Sequence, residues 1–484
     1  MDRYYPVVRV FGALLIGFSL CLAIPMGFSW HIGDEASSAF DEAFGLTLIT
    51  GLVLFLSARK ERRDLKVRDG FLLVVLVWAV LPVFACLPFV FHLNASFTDA
   101  YFEAMSGLTT TGATVFSDLD KLPPSINLWR GLMVWFGGMG LIVLAVAVLP
   151  MLGIGGRQMF KAETPGPMKD TNLTPRMTET AKGLWLVYLL CTVACINAFH
   201  WAGMTWFDAF MHAFTTMGLG GFSSHDASFG YWNSPLIEGI TVLFMLIAGM
   251  NFATLFLVLR GRSLRPYAQD PEAKYFLAVV LGSSLMIATY LWLNEVYPAF
   301  LTALRHALFN VVSIATTTGF ASVDYSLWPM FAPLWMLFLC SFATSAGSTG
   351  GGIKMMRALI LYKQVYRELL RSMHPHAVWP IRVGGSVIPA NIQSAVLAFG
   401  FAYMCIIVSL TLLLALTGLD IVTAVTAVVA TVNNTGPGLN QVGPATTYAV
   451  LTDLQTWVCS FAMLLGRLEI FTLLVVLTPA FWRK

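Results

Sequence analysis

Four short turns rich in Gly and Thr carry the residues of this sequence best suited to binding chemistry: Thr109-Thr110-Thr111-Gly112-Ala113, Gly218-Leu219-Gly220-Gly221-Phe222, Thr316-Thr317-Thr318-Gly319-Phe320 and Asn433-Asn434-Thr435-Gly436-Pro437. They align without gaps on Gly112, Gly221, Gly319 and Gly436, at spacings of 109, 98 and 117 residues, and an alanine stands twelve positions before each glycine (Ala100, Ala209, Ala307 and Ala424). None of these turns holds an acid or a base, so what they offer a ligand is backbone carbonyl oxygen. Glycine admits backbone conformations closed to other residues and lets the chain approach an ion with no Cβ in the way. Four such turns around one axis would present rings of carbonyls that replace the water shell of a dehydrated cation. One Thr-Thr-Gly alone reads more readily as a packing or turn element, but four in register do not.

The elements that position these turns follow from composition. Of 484 residues 57% are hydrophobic and only 11% charged, with 36 Phe, 22 Met and a mean hydropathy of +0.74. So few charges cannot cover a soluble protein of this size, whose domains carry about 25% charged residues. The chain reads as an all-α polytopic membrane protein. Apolar stretches near spanning length fall at about 8–30, 40–58, 70–94, 128–154, 183–205, 235–259, 274–294, 328–347, 391–417 and 450–480. The first is too long for a signal-peptide core and a second follows at once, so it reads as a transmembrane helix. Between some of them lie segments too short to span, Phe97–Thr111, Trp206–Gly220, Ala299–Thr318 and Asp420–Thr435, each ending in one of the four turns. Asp99 and Asp208 stand where they could cap two of these half-helices; His306 and Thr423 occupy the matching places in the others. The expected unit is helix, half-helix, turn, helix, repeated four times behind two extra N-terminal helices. Non-helical backbone at membrane depth needs partners for its carbonyls, and a cation supplies them. The half-helices would aim their partially negative C-termini at it.

Placing both termini in the cytoplasm puts 25 of the 29 Lys and Arg residues on that side, as the positive-inside rule requires. Lys121, Arg130 and Arg305 fall outside with fifteen acids, and Arg467 remains within the last span. An acidic outer face draws cations from outside, although acidic loops are also simply soluble loops.

A second interruption follows Trp328. The chain stays largely apolar to about Leu370, roughly 60 Å of helix at 1.5 Å per residue, twice the hydrocarbon thickness. At its middle lies Ser345-Ala346-Gly347-Ser348-Thr349-Gly350-Gly351-Gly352, followed by Lys354. This run reads either as a hinge into an amphipathic cytoplasmic helix bearing Lys363, Arg367 and Arg371, or as a mobile gate beneath the turns. Arg467 is costly at its depth and is expected to face the inner pore, opposing resting cations; the alternative is snorkelling to the headgroups.

Other chemistries find little support. The seven cysteines lie in apolar stretches without ligand spacing, and His92, His200, His212, His225 and His306 form no paired motif. Asn94-Ala95-Ser96 fits a glycosylation sequon as well by chance as by function. No GxGxxG follows a strand, no catalytic set stands at membrane depth, and a net charge of +3 suggests no nucleic acid. The Pro-containing segment Ala162–Lys182 reads as a cytoplasmic connector able to touch a partner.

Thr110-Thr111-Gly112-Ala113, Gly220-Gly221-Phe222-Ser223, Thr317-Thr318-Gly319-Phe320 and Asn434-Thr435-Gly436-Pro437-Gly438 resemble the four filter loops of the Trk/Ktr/HKT potassium transporters, and the whole chain, with its two extra helices, resembles the TrkH branch. The resemblance implies four unequal repeats around one pore, a homodimer, and control by a cytosolic nucleotide-binding TrkA-type ring. It implies K+ as transported ion, with no bound organic cofactor, in a bacterial inner membrane. It places ion coordination on Thr111, Gly112, Gly220, Gly221, Thr318, Gly319, Thr435 and Gly436. It supports gating by Gly347, Ser348, Gly350, Gly351, Gly352, Lys354 and Arg467. Members with Ser at the first glycine tend toward sodium, so Gly112 argues for potassium; no loop is a full TVGYG, which implies looser selectivity than in a potassium channel. The expected units are 1–68, then repeats at 69–182, 183–273, 274–390 and 391–484, the third with its second helix interrupted. A sodium permease, a sodium- or proton-coupled symporter, and a non-conducting assembly subunit remain as alternatives, and an intramembrane enzyme lacks the residues it would need.

Overall fold

The computed structural model describes residues 4–59, 65–143 and 177–483. Two leading helices, α1 (Tyr5–Ile32) and α2 (Ser37–Ser57), cross at Gly12 and Gly51, where a Cβ on Gly12 would stand 2.6 Å from the Phe55 amide nitrogen. In lipid, such close approach at small residues is what holds helices together. The chain continues through α3 (Val67–Ala85), α4 (Leu87–Leu93), the half-length α5 (Phe97–Leu108) and α6 (Pro124–Val143). Then come α7 (Met177–Trp201), the half-length α8 (Trp206–Gly218), α9 (Pro235–Gly249), α10 (Phe252–Gly261) and the short α11 (Arg265–Gln269). The third unit holds α12 (Pro271–Leu293), the half-length α13 (Phe300–Ala315), α14 (Phe331–Cys340) and α15 (Met355–Met373). The fourth holds α16 (Ala390–Leu416), the half-length α17 (Ile421–Val432), α18 (Asp453–Arg467), α19 (Phe471–Leu477) and α20 (Pro479–Trp482). The helix, half-helix, helix order expected from the sequence thus recurs four times behind two helices. Among the described residues six helices are long and apolar enough to cross a membrane, and the bent pairs α9–α10 and α18–α19 pass the same test together. One hairpin, Arg382–Val383 paired with Ser386–Val387 around Gly384 and Gly385, interrupts the all-helical expectation.

The half-helices start differently from the expectation. Asp99 and Asp208 are not the caps: Ser96 and Thr205, three residues earlier, accept the backbone N–H of Asp99 and Asp208 (3.1 Å each) and donate their hydroxyls to those carboxylates (2.8 and 2.7 Å). The aspartates stand at the third helical position, where an acid favours the helix dipole. Asp420 caps α17 directly, accepting the Thr423 N–H at 3.0 Å, and α13 has no side-chain cap.

Two of the expected spans are broken. The stretch at 235–259 bends by 102° between α9 and α10, where Asn251 caps the second piece by accepting the Ala253 N–H at 2.8 Å. The last span bends by 112° between α18 and α19, with Glu469 and Ile470 at φ +51° and +58°. The expected span at 328–347 ends as helix at Cys340. The stretch at 128–154 is described only to Val143, and the connector Ala162–Lys182 lies mostly outside the described residues, as do several of the basic positions used for orientation. Two apolar cores flank the centre: one is built mainly from the second and third units (Phe199, Met217, Phe276, Phe309, Met336), the other from the leading helices with the first and fourth (Phe40, Phe102, Trp129, Val428, Met463). Gly137 and Gly138 of α6 serve packing, against Leu108 and Gly218 at the ends of α5 and α8; Gly140 makes only ordinary contact with Trp78.

Candidate functional site

Each half-helix ends in the same backbone figure. Two residues before the aligned glycine, Thr110, Leu219, Thr317 and Asn434 take positive φ (56°, 54°, 60° and 54°), and the glycines Gly112, Gly221, Gly319 and Gly436 do so again (81°, 53°, 92° and 98°). Between them the N–H groups of Thr111, Gly220, Thr318 and Thr435 donate back to Ser106, Thr215, Ser313 and Ala430, at 2.8, 3.0, 2.8 and 2.8 Å. Those bonds satisfy carbonyls that the helix end would otherwise leave bare.

The four figures close on one another. A Cβ on Gly112 would lie 2.5 Å from the Gly220 carbonyl oxygen, and one on Gly436 would lie 2.7 Å from that of Thr111. On Gly221 it would overlap the Thr318 carbonyl, and on Gly319 the Thr435 carbonyl. Each glycine therefore packs on the carbonyl preceding the next glycine, first to second, second to third, third to fourth and fourth to first. All eight residues expected at the site are brought into this ring, with four helix C-termini converging on it. Side chains brace the ring from behind: Tyr448 donates its hydroxyl to the Gly436 carbonyl (2.8 Å), Ser313 to the Phe320 carbonyl (2.7 Å), and Asn434 its amide to the Thr111 hydroxyl (3.0 Å).

A cavity of about 380 Å³ touches all four glycines and opens between the loops that follow them. At its wall His225 bridges two elements, hydrogen-bonded through Nδ1 to Asp120 and with Nε2 3.3 Å from Asp208 Oδ1, while stacking on Tyr231 at 3.6 Å. Burial disfavours its charged form, but the two carboxylates outweigh burial and hold its pKa above the ordinary imidazole value. For Asp120 a burial penalty is likewise outweighed, by His225, and the carboxyl sits below its usual range. The histidine's contribution to folding is complete below the ordinary imidazole pKa and is lost as pH rises through the raised folded value; that of Asp120 is present above the ordinary carboxylate pKa and lost as pH falls through the lowered one. Amide exchange around 225–228 is expected to accelerate above the folded His225 value, and His225→Gln to remove that step.

Beneath the ring lies the Gly-rich loop between α14 and α15. Its Thr349 hydroxyl donates to Met217 at the end of α8 (3.1 Å), its Gly351 N–H to the Thr317 hydroxyl (2.9 Å), and a Cβ on Gly351 would overlap the Asn433 carbonyl. The loop thus touches the ends of three half-helices. It also completes the break in the second unit: Ser345 N–H donates to Gly249 (3.0 Å) and Phe252 N–H to Gly347 (3.2 Å). Lys354, buried and at φ +78°, donates to the Gly350 carbonyl. Arg467 donates to Thr349 (3.2 Å) and to Gly137 (2.6 Å) and is only 2% exposed, so it contacts the loop and does not snorkel. Glu469, two residues beyond Arg467, pairs with Arg357 at 2.8 Å.

Sequence reasoning passed over Glu272. At the start of α12 it accepts the N–H of Ala346 (2.7 Å) and of Met356 (3.1 Å), tying both ends of the loop to one carboxylate oxygen. Glu272→Ala would strand two buried donors at about 1–3 kcal/mol each; a clear fall in the thermal unfolding midpoint in detergent is expected. The available signal was an acid directly after Asp270-Pro271 at the head of an apolar span. Among the described residues no group of three or more His, Cys, Asp or Glu could hold a metal ion.

The sequence matches the family described as "TrkH: Cation transport protein" over residues 36–484. The chain belongs to the TrkH family. It is 46% identical over 484 residues, all of both chains, to the Trk system potassium uptake protein TrkH of Salmonella typhimurium. To the Trk system potassium uptake protein TrkG of Escherichia coli it is 36% identical over 483 residues, covering 99% of this chain and 98% of that one. The crystal structure of the potassium transporter TrkH from Vibrio parahaemolyticus superimposes with a TM-score of 0.91 at 44% identity, covering 100% of both chains. A TrkH family chain is a multi-pass membrane protein, and the six long apolar helices agree with that.

Proposed function

We propose that this chain carries potassium into the cell across a bacterial inner membrane, with the four-loop ring as its filter. The observation that carries the reading is the ring's closure, each glycine packed on the preceding carbonyl of the next loop. The ion sheds water in the outer cavity and meets oxygens from Thr111, Gly112, Gly220, Gly221, Thr318, Gly319, Thr435 and Gly436, steadied by four helix C-termini. The membrane potential drives entry with about 2.3 kcal/mol per charge per 100 mV. Gly347, Ser348, Gly350, Gly351, Gly352 and Lys354 form the gate, with Arg467 holding it shut. The functional units are 1–68, 69–182, 183–273, 274–390 and 391–484, both termini are cytoplasmic, the protein acts as a homodimer, and a nucleotide-binding TrkA-type ring moves the gate. Potassium is the cargo and no organic cofactor takes part. The relatives' names as Trk system potassium uptake proteins support this reading.

Proteoliposomes containing only this chain are expected to take up rubidium, and to prefer it to sodium. Sodium uptake at equal rate would favour the permease reading, dependence on a sodium or proton gradient the symporter, and no flux of either ion a non-conducting subunit.

A further inference from the structure

Nine residues before each aligned glycine, the half-helices carry Glu103, His212, Asn310 and Ala427. The first three reach the extended segment that leaves the ring on its outer side. Glu103 accepts the Thr114 hydroxyl (2.9 Å) and the Val115 N–H (3.0 Å), and His212 Nε2 lies 2.9 Å from the Ser223 hydroxyl. Asn310 donates to the Ser322 hydroxyl (3.0 Å) and accepts the Ser322 N–H (3.2 Å). In the fourth unit, where the position is Ala427, the adjacent Thr426 accepts the Leu439 N–H at 3.0 Å. Every loop is braced from behind by its own half-helix, but only the first brace is charged.

That charge is met by Arg130 of α6, 2.8 Å from Glu103, both side chains 0% exposed. The guanidinium does not stop at its own unit. It donates to the Thr114 hydroxyl (3.3 Å), to Asn127 (3.1 Å) and to the carbonyl of Ser223 (2.9 Å), and it lies over the Phe222 ring at 4.4 Å. Thr114 stands two residues beyond Gly112 and Ser223 two beyond Gly221, so one rigid fork spans the first two loops at the same level. A buried ion pair is costly and well-packed apolar residues often replace it without loss of stability. Here it fixes a distance between two segments of backbone.

We propose that Arg130, held by Glu103, is a positioning residue that sets the spacing of the first two loops and thereby the discrimination between potassium and sodium. This rests on the reading that the four loops coordinate the transported ion. Rubidium and sodium uptake by the full-length chain in proteoliposomes tests it. Arg130→Lys keeps the charge but cannot fork, and is expected to lower the rubidium-to-sodium ratio about tenfold. Thr114→Val, a partly exposed site whose change spares the fold, is expected to lower it about threefold. The double variant Glu103→Leu/Arg130→Met removes both charges at similar volume and is expected to fold yet lose the same discrimination. Arg305→Lys, in the peripheral pair with Glu238, should leave the ratio unchanged. An unaltered ratio in Arg130→Lys overturns the proposal; if that variant does not assemble, an unaltered ratio in Thr114→Val and the double variant does so. Gly112→Ser is run alongside: if it shifts the ratio while the Arg130 set does not, only the positioning role falls, whereas no shift in either removes the filter reading itself.

Discussion

Gly319→Ala is expected to reduce rubidium flux by at least about 100-fold, a loss of roughly 2.7 kcal/mol in effective barrier at about 1.4 kcal/mol per decade. Two terms act together. The residue sits at φ +92°, a conformation that costs an L-residue about 1–2 kcal/mol. The added Cβ also overlaps the Thr435 carbonyl, which has nowhere to retreat because Gly436 beyond it packs on Thr111. The ring transmits the displacement around its circumference, so one methyl group disturbs all four loops. Retained assembly by size-exclusion chromatography together with lost flux is the expected pair of results. Wild-type flux in a well-folded Gly319→Ala protein would falsify the ring as the conducting path.

Arg467→Ala is expected to act in the opposite direction, raising flux of the isolated chain about tenfold. The side chain contributes two bonds, to Thr349 in the loop and Gly137 on α6, and a positive charge below the constriction. Removing it frees the loop from the first unit and lowers the electrostatic barrier for a cation leaving the ring. Arg467→Lys keeps the charge while losing one of the two bonds, so it should show a smaller gain. Single-channel or flux recordings on both variants separate the tether from the charge, and unchanged flux in both would leave Arg467 outside gating.

Much of this was legible in the sequence because the four turns share backbone requirements that only a few residue types meet. Glycine in register at 112, 221, 319 and 436 announced positive φ, and half-length apolar segments announced half-helices. The run at 345–352 announced an interruption because glycine cannot hold a span. The bends at 250 and 469 were hidden, since Gly249 and Gly466 beside them are single glycines of the kind common inside membrane helices and the cause of the bends is tertiary. Asn251 becomes a cap only because the loop supplies partners for the opened backbone. Arg130 and Glu272 were hidden likewise: their partners lie 27 and 74 residues away, and spacing along a chain does not reveal them. The caps were misplaced by three residues: Ser96 and Thr205, directly before Phe97 and Trp206, carried the ordinary cap signal, and the acids three positions on drew the assignment instead.

The stitching of the broken α9–α10 span to the Gly-rich loop carries a consequence for how the protein would open. Withdrawing that loop uncovers the Gly249 carbonyl and the Phe252 N–H together, deep among apolar side chains. Bare groups there are expensive, and water is the substitute that satisfies them. Unlatching of the loop and wetting of the α9–α10 break are then a single event, and a dry, unlatched intermediate has no place on the route.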